Sequence, residues 1–135
     1  MSSPLLDTHA WLWWVGRDPR IGEKMMARLD ALPDTERPYL SAISLWEAAM
    51  LVERRRIAIS GSIVAWLEAA SDPRAVHVVP ITPAIAAETA VLPQSFHRDP
   101  ADRIIVATSR ALDVPLLTHD RVVLESRLTK RWTPV

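Results

Sequence analysis

Short apolar runs alternate along the chain with longer stretches whose apolar positions recur every three or four residues. The runs read as buried strands and the stretches as helices with one apolar face. Pro4-Leu5-Leu6 predicts a first strand ending at Asp7, and residues 8–15 predict a helix with Trp11, Trp14 and Val15 near one face. Ile21, Met25, Leu29 and Leu32 place a second helix over 21–32, before a turn in PDTERP at 33–38. Tyr39-Leu40 begins a second strand, and a third helix runs from Ser44 to about Arg55. A fourth helix spans Gly61 to Ala70 and stops at Asp72-Pro73, ahead of a β-branched third strand from Val76 to Val79. Thr82-Pro83 opens a fifth helix over 83–91, residues 92–98 form a loop, and 100–112 form a sixth helix. Leu116-Leu117 is the fourth strand, Arg121 to Ser126 a short helical turn, and Arg131-Trp132-Thr133 a final edge strand. This alternation predicts an α/β fold with a mainly parallel sheet. It is expected to form one domain over residues 1–135, with no internal repeat or linker.

Four acids sit where these elements meet. Asp7 closes the first strand, and Asp120 follows the fourth in Leu116-Leu117-Thr118-His119-Asp120. Glu47 and Asp102 fall in the first turn of helices expected to face the same edge. In open parallel sheets, the carboxyl ends of the strands form the crevice where sites develop. Each acid also has a purely local reading. Asp99-Pro100 is an N-cap followed by proline at the first helical position, with Asp102 reaching back to the cap. Ser44-x-x-Glu47 has the form of a capping box. Asp120 can cap the turn after it, and either Asp7 or Thr8 can cap the first helix.

Charge arithmetic bears on these two readings. A cap is worth about 1 kcal/mol, whereas two carboxylates about 4 Å apart repel by about 4 kcal/mol at an effective dielectric of about 20. Glu47 is also the lone ionisable residue in LWEAAMLV, a helix apolar nearly all round, where an unpaired carboxylate is costly. If the four acids converge, a divalent cation removes the conflict. An all-carboxylate set suits Mg²⁺ or Mn²⁺, which keep several waters and bind substrate phosphates. The chain has no cysteine, which excludes thiolate sites and disulfides.

The sequence elements LLDTHAWLWW, SAISLWEAAML, HRDPADRIIVATSRAL and PLLTHDRVV resemble, in order, the motifs of the PIN-domain family, and within it the VapC toxins of bacterial toxin–antitoxin pairs. The likeness runs from about residue 5 to residue 124. It implies a three-layer α/β/α sandwich with strand order 3-2-1-4-5 and a Mg²⁺- or Mn²⁺-dependent endoribonuclease acting on single-stranded or structured RNA, tRNA or rRNA. It carries the catalytic roles to Asp7, Glu47, Asp102 and Asp120. Asp7 and Asp102 are expected to hold one ion most directly, with Asp120 ligating through water or binding a second ion, and Glu47 orienting or deprotonating the attacking water. Thr118 is expected to hydrogen-bond within the site, and Asp99 is an additional acid assigned here to the helix cap. Arg103 is expected to pair with a site acid or an RNA phosphate. The implied partners are a cognate antitoxin that covers the site and a second copy of the chain.

The remaining features change this picture little. Acidic and basic residues balance at 16 each, so nucleic acid must be met by local patches or a bridging cation rather than by general attraction. Nothing at the N-terminus reads as a secretion signal, and no segment reaches the roughly 18 apolar residues of a membrane span. A soluble, cytoplasmic protein is expected. His9 and His97 lie near acid motifs and are read first as hydrogen-bonding surface residues. Arg54-Arg55-Arg56 ends a helix, where positive charge is favoured in any case. Trp11, Trp13 and Trp14 cannot share one core, and Trp13 is the candidate for a partner surface. Two other readings compete. A haloacid-dehalogenase-like phosphatase would use Asp7 as nucleophile, but would want a second Asp where His9 stands. A PIN-like binding module would keep the fold without catalysis.

Overall fold

A computed structural model describes residues 3–96 and 99–133. The order of elements is β1 (Leu5–Leu6), α1 (Thr8–Val15), α2 (Glu23–Asp30), β2 (Tyr39–Ser41), α3 (Ala42–Glu53), α4 (Ile63–Ala70), β3 (His77–Val79), α5 (Pro83–Val91), α6 (Pro100–Leu112), β4 (Leu116–Leu117) and α7 (Arg121–Ser126). The strands form one parallel sheet in the order β3-β2-β1-β4. Beyond β4, the expected last strand contributes a single parallel bridge between Leu116 and Arg131.

Consecutive residues of a strand point to opposite faces, and the sheet is covered on both. Leu6, Leu40 and Leu117 pack with Trp11, Met25, Leu29 and Ala48 from α1, α2 and α3. Leu5 and Leu116 pack on the other side with Ile85, Ile105, Val106 and Val123 from α5, α6 and α7. Strands of two or three residues survive here because both faces are buried, giving the three-layer α/β/α arrangement. Trp11 is fully buried, and its indole N–H donates to the Ala70 carbonyl at 2.8 Å, tying α1 to the end of α4.

Two helices differ from their sequence patterns. The helix expected over 21–32 is broken at Gly22, whose φ of 95° belongs to a region that favours glycine. A 3-10 turn, Pro19–Ile21, precedes the break and α2 follows it. The third helix begins at Ala42, not Ser44. Ser41 is its N-cap, and its hydroxyl accepts from the Ile43 N–H at 3.2 Å. The Ser44–Glu47 capping box therefore does not form. Ser44 is buried inside the helix, and Glu47 lies beyond the first turn.

The register determines what gathers at the carboxyl edge. Leu6 pairs with Leu40 on one side and Leu117 on the other. Asp7, Ser41 and Thr118 are thus the next residues on three adjacent strands. The Asp7 N–H donates to the Leu117 carbonyl at 3.1 Å.

Candidate active site

Three of the expected acids are helix N-caps. One Asp7 oxygen accepts from the Ala10 N–H at 2.8 Å at the start of α1. One Asp99 oxygen accepts from the N–H groups of Ala101 and Asp102, at 2.8 and 3.4 Å, at the start of α6. One Asp120 oxygen accepts from Val122 and Val123, at 2.8 and 3.2 Å, at the start of α7. In each case the cap uses only one carboxylate oxygen. Capping and site-building are therefore compatible, and the positive ends of three helix dipoles ease the gathering of negative charge.

The acids line one cavity of about 390 Å³, together with Thr8, His9, Trp13 and His119. Asp7, Glu47, Asp99, Asp102 and Asp120 all reach it. Within it, Glu47, Asp99 and Asp102 offer oxygens that lie within 4.8 Å of one another. That is a different grouping from the expected ligands Asp7, Asp102 and Asp120. Asp7 and Asp120 share the cavity, while Asp99 joins Asp102 in the tight group. The reason is local: a cap and the third residue of the same helix turn project from one helix end, opposite Glu47 on α3. The donors are all carboxylate oxygens, so the set fits a hard divalent cation such as Mg²⁺ or Mn²⁺.

The electrostatics reflect crowding and burial. Burial pushes the Asp7 carboxyl above the usual carboxylate range, against the opposing effects of a Thr118 hydrogen bond, the Ala10 N–H, His9 and His119. Burial also raises Glu47; the Thr8 hydrogen bond opposes this, while the charges of Asp99 and Asp7 add to it. The Thr118 hydroxyl also accepts from the Asp120 N–H at 3.0 Å. It thereby links the acids that follow β1 and β4.

The motif pattern of the PIN domain matches residues 5–126 of the chain. This chain belongs to the PIN-domain family. It is similar to Ribonuclease VapC22 of Mycobacterium tuberculosis (strain ATCC 25618 / H37Rv), with 37% identity over 121 residues, covering 90% of this chain and 89% of that one. FitAcB from Neisseria gonorrhoeae shares the fold at a TM-score of 0.68 and 23% identity, over 96% of both chains. FitAB bound to an IR36 DNA fragment does so at 0.66 and 22%, over 96% of this chain and 94% of that one.

Arg103, expected to pair with a site acid or an RNA phosphate, is bonded to backbone carbonyls in this PIN domain. Its guanidinium donates to the carbonyls of Thr89, Leu92, Pro93 and Phe96, at 3.0, 3.4, 3.2 and 3.4 Å. It ties α6 to the end of α5 and the loop that leads to Asp99. His97 lies outside the described residues. His9 is exposed on the cavity wall, and the Trp13 ring lies beside it. Sequence patterns missed Thr8 and Ser44 as site-supporting residues, and His119 as a wall residue. The Thr8 hydroxyl donates to Glu47 and lies 2.9 Å from the Ser44 hydroxyl. The available signal was position alone: Thr8 directly follows a site acid, and His119 lies between two site residues.

Proposed function

We propose that this PIN domain is a divalent-metal-dependent endoribonuclease, the toxin of a toxin–antitoxin pair acting in the cytoplasm on tRNA or rRNA. The observation that carries this reading is the convergence of five carboxylates on one cavity at the carboxyl edge of the sheet. The similarity to a ribonuclease of the VapC group supports RNA as the substrate.

Asp99 and Asp102 would hold the cation, with Glu47 beside it and Asp7 and Asp120 on the neighbouring wall. The bound ion, Mg²⁺ or Mn²⁺, supplies neutralisation of phosphate charge and a more acidic attacking water. Thr8 holds one Glu47 oxygen and leaves the other to orient that water and accept its proton. Burial raises the affinity of Glu47 for a proton, which favours it as the acceptor. The water oxygen bonds to phosphorus as the bond from phosphorus to the 3′ oxygen breaks, and the 3′ oxygen takes a proton from solvent, leaving a 5′-phosphate and a 3′-hydroxyl.

The partner reading is a small antitoxin protein and a second copy of this chain. Trp46 and Val64, 54% and 66% exposed on α3 and α4, supply apolar surface for such contacts. Among the described residues, no helix is long and apolar enough to cross a membrane.

The deciding experiment uses purified, chelator-treated protein freed of any antitoxin. Cleavage of single-stranded RNA should appear on adding Mg²⁺ or Mn²⁺. Cleavage that persists in excess chelator would refute the metal-dependent reading. Phosphate release from small phosphoesters without RNA cleavage would favour a phosphatase.

A further inference from the structure

A second cavity, of about 440 Å³, adjoins the acidic one and shares His9 and Trp13 with it. Its character is opposite, since Arg20 and Arg56 line it and, among the described residues, Asp18 is its one acid. Its volume falls within the range of small-molecule sites.

Trp13 is the common wall. The Arg20 guanidinium lies 5.2 Å from the Trp13 ring centroid, and the His9 ring lies 5.9 Å away at a tilt of 34°. The His119 ring meets Trp13 edge-on at 5.2 Å. Arg20 is itself held by both Asp18 oxygens, with Nη2 to Oδ2 at 2.8 Å. The planar groups are therefore organised before any ligand arrives.

Arg56 differs from Arg17, Arg20, Arg74 and Arg110, each of which is paired with a carboxylate. Among the described residues, no acid pairs with Arg56. It follows Arg55 in a left-handed turn at φ 58°, and its N–H returns to the Leu51 carbonyl at 2.8 Å. That turn brings an unpaired cation back to the end of α3, beside the cavity.

An acidic cavity repels a polyanion, and the chain as a whole carries no net charge to offset this. A single strand must therefore be held next to the acids by local cations and by stacking of its bases on planar side chains. We propose that the second cavity is a nucleotide subsite: it receives an unpaired base flanking the cut phosphate against Trp13, His9 and Arg20, and that nucleotide's phosphate at Arg56. This rests on the endoribonuclease reading above and deepens it by assigning where a neighbouring nucleotide binds.

The test measures binding of a short, unstructured, fluorescein-labelled oligoribonucleotide by anisotropy in Mg²⁺, in an Asp7→Asn background that removes turnover. Trp13→Leu should weaken binding about tenfold, and Trp13→Phe should restore most of it. Arg56→Gln should weaken binding and lower the slope of log affinity against log salt by about 0.7. Arg56 is exposed, so its substitution leaves the core untouched and decides the matter even if Trp13→Leu fails to fold. Unchanged affinity and salt slope in Arg56→Gln, in a protein that binds and cleaves RNA, would overturn the subsite alone. Loss of binding to a protein partner with RNA affinity unchanged would overturn it in favour of a docking surface. Absence of both RNA binding and RNA cleavage by the parent protein in Mg²⁺ would overturn the subsite and the ribonuclease reading together.

Discussion

The Thr8 hydroxyl donates to the Glu47 carboxylate, joining α1 to α3 at the edge of the acidic cavity. Thr8 has one proton to give, so the 2.9 Å contact with Ser44 takes the Ser44 proton. Both hydroxyls are buried, which makes Ser44, Thr8 and Glu47 a directed chain. Thr8→Val should therefore lower the cleavage rate at least tenfold with little change in KM. Its stability should fall by about 1–3 kcal/mol because polar groups lose their partner. Thr8→Ser should retain most activity. Equal activity of the Val and Ser variants in steady-state RNA cleavage would remove Thr8 from its positioning role.

Asp7→Asn tests charge apart from capping. Asparagine is as good an N-cap as aspartate, so α1 should keep its start. Since burial disfavours the charged Asp7, the metal-free variant should melt no lower than the parent. RNA cleavage should be lost. Full activity at saturating Mg²⁺ would show that the Asp7 charge is dispensable.

Asp99 caps α6 and also lies in the tight acidic group with Glu47 and Asp102. Asp99→Ser keeps a good cap, so its melting temperature should barely move. Its affinity for Mn²⁺, read by calorimetry, should fall about tenfold. Asp102→Asn should also bind Mn²⁺ more weakly. If Asp99→Ser binds Mn²⁺ as the parent does, Asp99 serves the helix alone.

The raised pKa values of Asp7 and Glu47 give stability a definite pH dependence. At pH values between the ordinary and the raised pKa, the folded chain binds more protons than the unfolded one. The contribution of these groups is thus most favourable at low pH and is lost as pH rises through the raised values. In chelator, melting temperature should fall over that window more steeply for the parent than for the Asp7→Asn/Glu47→Gln double variant. Mg²⁺ favours the ionised forms, so its binding should release protons and raise the melting temperature more at higher pH. Parallel curves for the two proteins in chelator would contradict the burial effect.

Arg103 donates to four carbonyls at the end of α5 and in the following loop. Arg103→Gln cannot span them. It should cost about 2 kcal/mol and speed amide exchange across residues 92–96. Exchange unchanged in that loop would show that other contacts hold it.

Much of this protein is determined locally and was legible in its sequence. Leu5-Leu6 and Leu116-Leu117 predict strands buried on both faces because adjacent residues point opposite ways. Asp99-Pro100 predicts its cap because a side-chain oxygen reaches N–H groups only two or three residues ahead. The acids closing β1 and following β4 were visible from their place at the ends of apolar runs.

The tertiary structure decided what such short-range patterns do not encode. Ser44 has the spacing of a capping box, yet Ser41 takes the cap because β2 runs directly into α3 and the helix begins two residues earlier. Gly22 interrupts an apolar spacing that would otherwise read as one helix, because its positive φ turns the chain. Asp99, rather than Asp7 or Asp120, joins Glu47 and Asp102 in the tight group. Thr8 becomes a partner of Glu47 across 39 residues of sequence. Capping and alternation act within a few residues and leave their mark in the order of side chains. The approach of groups on α1, α3 and α6 depends on sheet register and helix packing, which long-range burial sets.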